Sequence, residues 1–497
     1  MLLLDRQKLL ASVLVSGMSI GGALAQETLP YIPGADTTAN GAAVQTPQVI
    51  FDEPIESDSV QPSPRNRRAF SDNDPSGRNP RAQPSTQVGL IGPDGAVTPL
   101  ANTRATPEQT GSPRSNDDPY AALGLRVGTF TLFPVLTQTI GTTSNADFSA
   151  GGSSAIFSQT DLRLRGTSNW SRHQLSGEIG GNYQTFFNDA SDDIPAFNAN
   201  LELRLDLVMD WAARFGVNTN ITTESAVSDN ISVPFPLFVI GRPQVTQMGG
   251  FAVIEKQAGL LNGNLRGTVT RTSYDSADIS NGTQLSQDDR NNTLFELRGR
   301  VNYNSSALLQ PFAVANLGFR RFDLTIDRNG NNRNSALYGL RVGLAYNGGE
   351  KLNGEISVGY ANEVFDDNAL NSLSGVTVDG VINWSPVRFT TITATAQTSF
   401  TGSTNVNESG SATYAASLGI VREVRPNLSL NGRILASLRS YDLGREDSTY
   451  QAQLGAEWRL NRNAALFGNV GYEVVESTDA GSSYNATTAR VGIRLQK

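Results

Sequence analysis

The residues of this chain that could do chemistry are charged side chains set two positions apart. Asp161, Arg163 and Arg165 form one such set, Glu202, Arg204 and Asp206 a second, and Glu296, Arg298 and Arg300 a third. Arg341, Glu355, Arg433, Arg439, Glu457 and Arg459 stand in similar surroundings, each with an apolar residue or glycine beside it. In an extended chain, residues two apart share a face. Fixed charges of both signs on one face make no bonds; rings or ladders of them set a transverse field that sorts passing solutes. Bond-making chemistry has little to work with. The chain has no Cys, which excludes thiolate catalysis, Cys-based zinc sites and disulfides. His173 is the single histidine, so H-E-x-x-H is impossible, and in Trp170-Ser171-Arg172-His173 it reads as a structural residue of a turn. The one G-x-S-x-G string, Gly17 to Gly21, falls in a leader, and no Gly-Lys pair exists to build a phosphate loop. No cofactor and no enzyme activity are expected.

The elements that must carry these charges are strands. From Phe197 to Leu207 every odd residue is apolar and every even one polar or small, so one face is greasy and the other carries Glu202, Arg204 and Asp206. From about residue 120 to the end, eighteen such segments recur, the first near Leu132 and the last near Ala489, separated by Gly-, Asn-, Ser- and Asp-rich breaks. The breaks alternate between tight ones, such as Gly348-Gly349-Glu350 and Asn461-Arg462-Asn463, and longer ones, such as 188–195, 225–242, 279–292 and 366–371. Alternating short and long connections predict an antiparallel up-and-down barrel spanning an outer membrane, with short turns on the periplasmic side. A soluble sandwich alternates in the same way. Against it stand the charges deep in mid-strand and the aromatic residues at strand ends, as Tyr338 and Tyr346 flank Leu340 to Leu344. Counted from a periplasmic start, Trp170, Trp211, Trp384 and Trp458 all fall beside short turns and form a predicted periplasmic girdle, where an apolar ring with a wet N–H is favoured. A barrel of about eighteen strands has a lumen wide enough for water. The fifteen charges named above are expected to face it, either as pairs between adjacent strands or as a solute filter. The apolar loop 225–242, with Val233-Pro234-Phe235-Pro236-Leu237-Phe238, is expected to fold inward or pack on the rim.

Residues 1–25 read as a signal peptide: Arg6 and Lys8, the apolar run Leu9 to Ile20, then a small-residue site ending at Ala25. Residues 26–119 hold 14 of the 22 prolines, no Lys and a net charge of −5, without helical or strand periodicity. Such a segment buries too little apolar surface to offset its ordering entropy and is predicted to be a disordered periplasmic arm. Residues 120–497 are the barrel. The formal charge of −8 argues against nucleic acid as a partner. The expected partners are outer-membrane lipid and lipopolysaccharide, the barrel-insertion machinery, and peptidoglycan or a periplasmic partner reached through the arm.

The segment Gly124-Leu125-Arg126-Val127-Gly128-Thr129-Phe130-Thr131-Leu132-Phe133-Pro134, with Ser144-Asn145 downstream, resembles the opening of the putative β-barrel porin 2 family, exported outer-membrane barrels common in alphaproteobacteria. The resemblance runs over roughly residues 120–497 and implies an outer-membrane location and a porin-like role, with no catalytic residues to carry over. The last strand departs from the usual outer-membrane pattern: it keeps Arg490, Gly492 and Leu495 but ends in Gln496-Lys497 without a terminal aromatic. The expected function is passive diffusion of small hydrophilic solutes through a charged aqueous lumen. The competing readings are a structural envelope protein that tethers outer membrane to cell wall through its arm, and an outer-membrane conduit for polysaccharide export.

Overall fold

The computed structural model describes residues 119–497 except 147, 188–190, 209, 225–238, 242, 305–307, 350, 406–407 and 480–481, preceded by the two-residue strands Thr38–Ala39, Ala42–Ala43, Leu90–Ile91 and Val97–Thr98. The expected signal peptide, nearly all of the expected arm and most of loop 225–242 lie outside the described residues.

Each alternating segment is a strand. In chain order they are β1 Phe130–Thr143, β2 Ala155–Ser168, β3 His173–Phe186, β4 Ile194–Asp206, β5 Trp211–Thr223, β6 Gln244–Ala258, β7 Leu261–Tyr274, β8 Asn292–Tyr303 and β9 Leu309–Phe322. The remaining nine are β10 Ser335–Asn347, β11 Leu352–Phe365, β12 Leu373–Trp384, β13 Thr390–Gly402, β14 Gly410–Arg425, β15 Leu428–Tyr441, β16 Glu446–Asn461, β17 Ala464–Ser477 and β18 Tyr484–Gln496. Each pairs antiparallel with its neighbour in sequence. The last returns to the first, with Val491 opposite Ile140, so the eighteen strands close into one barrel. The largest displacement from expectation is at β18, which begins at Tyr484 rather than near Ala489; Asn485, Thr487 and Thr488 weaken the apolar alternation there.

Parity decides which face is which. On β8, Leu297 and Val301 are 46 % and 51 % exposed, whereas Arg298 and Arg300 between them are 8 % and 3 %. The greasy parity is therefore the outer surface, and the charged parity is the inner one. The same holds around the wall, where Ile140, Leu162, Val217, Leu340, Val358, Leu454 and Val491 are exposed outward. Among the described residues no helix is long and apolar enough to cross a membrane, so the outward apolar belt belongs to strands alone.

The two ends differ. One carries connections of two to five residues, such as Gly259-Leu260 and Arg462-Asn463, together with the start of β1 and the end of β18; the other carries the long connections, all of six residues or more except 442–445. Trp170 in the β2–β3 turn, Trp211 opening β5, Trp384 closing β12 and Trp458 near the end of β16 all lie at the short-turn end and are exposed. Trp170 donates its indole N–H to Thr129 Oγ1 at 3.2 Å, which satisfies the one polar atom of the ring.

The opening segment has a physical explanation. Leu125–Val127 folds back on Phe130–Leu132 through a tight Gly128-Thr129 turn in which Gly128 has φ 62°, a conformation that only Gly adopts freely. The β18–β1 ladder begins at Gln496 opposite Val135, and Leu125–Val127 continues the wall below it. The Lys497 amide donates to the Pro134 carbonyl at 3.2 Å, and Arg462 Nε donates to the Pro119 carbonyl at 2.7 Å. The first residues of the barrel domain are thus held at the short-turn rim, beside the seam that closes the barrel.

Candidate functional site

The strands place all fifteen nominated charges on the inner face, and register brings some of them into a band. Arg204 of β4 stands opposite Arg214 of β5, Arg214 opposite Val253 of β6, Val253 opposite Arg266 of β7, and Arg266 opposite Arg298 of β8. One row across five strands therefore holds four arginines. In the next row toward the short turns, Arg300, Val314 and Arg341 continue it on β8, β9 and β10. Apolar and acidic groups spread this charge. Arg266 lies 3.9 Å over the Phe251 ring and Arg300 4.0 Å over Phe312, geometries in which a ring face attracts a cation. Arg214 sits between Glu202, at 3.8 Å, and Glu255.

The pairing is not confined to adjacent strands as the simpler expectation held. Arg341 of β10 reaches Asp379 on β12, Arg320 of β9 meets Glu363 on β11 at 3.2 Å, and Arg494 of β18 meets Glu457 on β16 at 3.0 Å. The longest reach is from Arg300 on β8 to Glu355 on β11, at 2.8 Å. Small residues on the intervening strands leave these spans open: Ser335 stands opposite Arg320 and Ala465 opposite Arg494, and glycine serves Arg341 and Arg300. Gly359 stands opposite Arg341, and a Cβ on it would lie 2.4 Å from Arg341 Cγ; Gly343 leaves the space that the Phe312 ring fills. Bare backbone on the intervening strand lets a guanidinium lie along the wall and reach the next carboxylate, with the fork geometry that favours such pairs.

The other nominated charges are placed as follows. Asp161 accepts Gln159 Nε2 at 2.8 Å, Arg163 lies 3.5 Å from Glu178, and Arg165 stacks 5.3 Å from the Phe133 ring centre. Arg204 pairs with Asp206 at 3.0 Å, and Glu296 faces Thr268 and Gly318. Arg433 faces Gly419 and Gln453, Arg439 donates to Ser411 Oγ at 2.7 Å, and Arg459 lies 3.7 Å from Glu457. Inner-face charges that the sequence reading left out include Glu178, Arg214, Glu255, Arg266, Arg320, Glu363, Asp379, Asp447, Glu473 and Arg494. Each sits at the same parity as its nominated neighbours, so alternation alone could have found them. His173 opens β3, and its Nδ1 accepts the Asp206 amide at 3.2 Å, a structural role at the short-turn rim. Among the described residues no three acidic or histidine side chains are grouped to hold a metal ion.

The long-connection rim is cross-braced on one side. Arg290 forms a fork on Glu224 at 2.7 and 3.0 Å and lies 3.8 Å from the Tyr274 ring centre. Arg328 forks on Asp289, both bonds 2.6 Å, and Arg333 binds Asp327 at 2.5 Å as well as the carbonyls of Asn405 and Glu408 at 2.9 and 2.8 Å. Connection 323–334 thereby ties connection 275–291 to connection 403–409. Of the 225–242 loop, only Val239–Ile240 forms described secondary structure; it pairs with Ala277–Ile279 in a small sheet at this rim.

Among solved structures the chain is similar to the copper transporter OprC (TM-score 0.44, 9 % identity, 75 % of this chain and 81 % of that one). It is similar also to an anion-selective porin from Comamonas acidovorans (TM-score 0.34, 11 % identity, 74 % and 99 %) and to the outer membrane protein opdK from Pseudomonas aeruginosa (TM-score 0.39, 12 % identity, 74 % and 99 %). No curated protein matches. The closed eighteen-strand wall, its outward apolar belt and its charged bore agree with the match of a family model over residues 118–497: the chain belongs to the Putative beta-barrel porin 2 family, an outer-membrane barrel with a porin-like channel role.

Proposed function

We propose that the barrel lets small hydrophilic solutes diffuse passively across the outer membrane, with a preference for anions. The observation that carries this reading is the inner-face arginine band of Arg204, Arg214, Arg266 and Arg298, with Arg300 and Arg341 in the row beside it. Charges fixed on a wall concentrate counter-ions in the bore without binding them tightly enough to hold them, which is what conduction requires. Acidic partners on both sides of the band keep the preference moderate. Diffusion of this kind needs no cofactor and no energy source. The arm then belongs to the periplasm, a side supported by the anchoring of Pro119 at the short-turn rim.

Liposome swelling tests it. Vesicles carrying the protein should swell in small neutral sugars at rates that fall with solute size, and should admit small organic anions faster than cations of equal size. Swelling no faster than that of protein-free vesicles for every solute would sink the proposal. The reversal potential under a salt gradient should move toward cation preference in Arg266→Glu, and an unchanged potential would return the band to a structural role.

A further inference from the structure

One seam of the wall is built differently from the rest. The β12–β13 ladder holds five paired positions, from Trp384 opposite Ile392 to Gly380 opposite Ala396, whereas β18–β1 holds nine and β6–β7 fourteen. Above Gly380, toward the long connections, a side chain takes over from backbone. Thr398 Oγ1 accepts the Val378 amide at 2.9 Å and donates to the Val378 carbonyl at 3.2 Å. The two strands are also stepped. Phe400, of outward parity on β13, packs against Phe365, Leu370 and Leu373, of which Phe365 and Leu373 have inward parity on β11 and β12. Tyr414 Oη of β14 lies 3.1 Å from where a Cβ on Gly375 would stand. Upper β13 therefore overlaps β12 on its lumen side, as in a lap joint. This happens at lipid depth, because Val376 on the same stretch is 47 % exposed outward and is paired with Tyr360, itself exposed outward.

Unladdered strand edges at lipid depth are costly, because lipid offers backbone groups no partners. A sequence that tolerates them and caps them with apolar side chains has made a joint that can part. The lining indicates what would pass. On the lumen side of the joint Thr377, Thr401 and Thr413 are buried inner-face residues whose hydroxyls have no hydrogen-bond partner among the described residues. At its outer end stand Phe365, Leu370, Leu373 and Phe400. Hydroxyls that can bond to a polar head lie next to a slot suited to an alkyl chain. We infer that the β12–β13 seam is a lateral portal through which a single-chain amphiphile with a hydroxyl-bonding head moves between the lumen and the outer leaflet. This extends the channel reading and rests on it for the lumen end of the path.

Cysteine reactivity tests the portal directly, since the chain has no Cys of its own. The intact protein in phosphatidylcholine vesicles carries one reporter, either Thr377→Cys or Thr401→Cys at the seam, or Thr270→Cys, a buried inner-face position of β7 that is four residues from the long-connection end of its strand, as Thr377 is of its own. The probe is N-dodecylmaleimide dissolved in the bilayer. Both seam reporters should react roughly tenfold faster than Thr270→Cys, and Thr398→Val should raise the seam rate by a further several-fold through loss of two hydrogen bonds. Equal rates at the seam and at Thr270→Cys, or a seam rate that Thr398→Val leaves unchanged, would overturn the portal. A small water-soluble maleimide separates this failure from that of the channel: it should label Arg163→Cys, an inner-face position whose side chain is about a third exposed, through the bore, whatever the seam does.

Discussion

Among individual residues, Arg300 and Glu355 give the sharpest energetic test. They are 3 % and 6 % exposed and form a fork at 2.8 and 3.2 Å, so either alone would be a charge sealed in the wall. Arg300→Gln should destabilise the barrel by about 3 kcal/mol, read as a lower temperature of heat-modified migration on gels, whereas Arg300→Met with Glu355→Met should recover most of that loss. Equal effects of the single and double variants would contradict the pairing. Asp289 makes a prediction about pH. Burial pushes its carboxyl up, but the hydrogen bonds and charge of Arg328 outweigh burial and hold it below the usual carboxylate range. A depressed value means that the stabilisation is fully present above the unfolded value of about 4 and is lost as pH falls through the lower folded one. Hydrogen exchange of connection 323–334, corrected for intrinsic rates, should therefore be flat from neutral pH down to about 4 and rise only below it; a rise already near pH 6 would contradict the fork. Which residues carry charge, and on which face, was legible from alternation. Which carboxylate each guanidinium meets was not, because Arg300 finds Glu355 three strands away and 55 residues on.

Strands explain that difference. Period-two alternation states the parity of a strand, but register is set by pairing and turn geometry, and local pattern does not carry it. Thus β4 could be read from Phe197 to Leu207 with its inner and outer faces assigned, while the alignment of Arg204 with Arg214 emerged only once the β4–β5 turn had closed. Glycines on inner faces are the second hidden variable. Gly359 looks like a weak point in a strand, yet it is the gap through which Arg341 passes. A Cβ there would also lie 2.1 Å from the Leu340 carbonyl, so Gly359→Ala forces the backbone or Arg341 to move and should destabilise the fold by about 1–3 kcal/mol. Gly267, where a Cβ would meet nothing within 4 Å, should tolerate the same change within about 0.5 kcal/mol. Denaturation midpoints compare the two, and similar losses at both would argue against the spacer role. The opening motif was legible as a resemblance, and its physical content is the Gly128 turn that carries the wall past the end of β18.

For the molecule as a whole, the strand count, the closure and the sidedness of the connections follow from the repeat of one simple pattern, and the four exposed tryptophans all stand at the short-turn end, where we propose a membrane interface. That interface predicts that lipids brominated near the headgroup quench tryptophan emission more strongly than lipids brominated at the chain ends; the reverse order would contradict the girdle. The step at β12–β13 left no trace in the alternation, because Thr398 and Phe400 continue the outward parity of β13 without interruption. Its signature is a missing ladder, which only the assembled wall displays. The central claim is that this wall encloses a conducting path. Single-channel recording in planar bilayers tests it most directly, with the intact protein and with a form lacking residues 26–119. Discrete current steps should appear in at least the shortened form, growing with salt concentration, with a reversal potential on the anion-selective side. Electrical silence in both forms would contradict the claim.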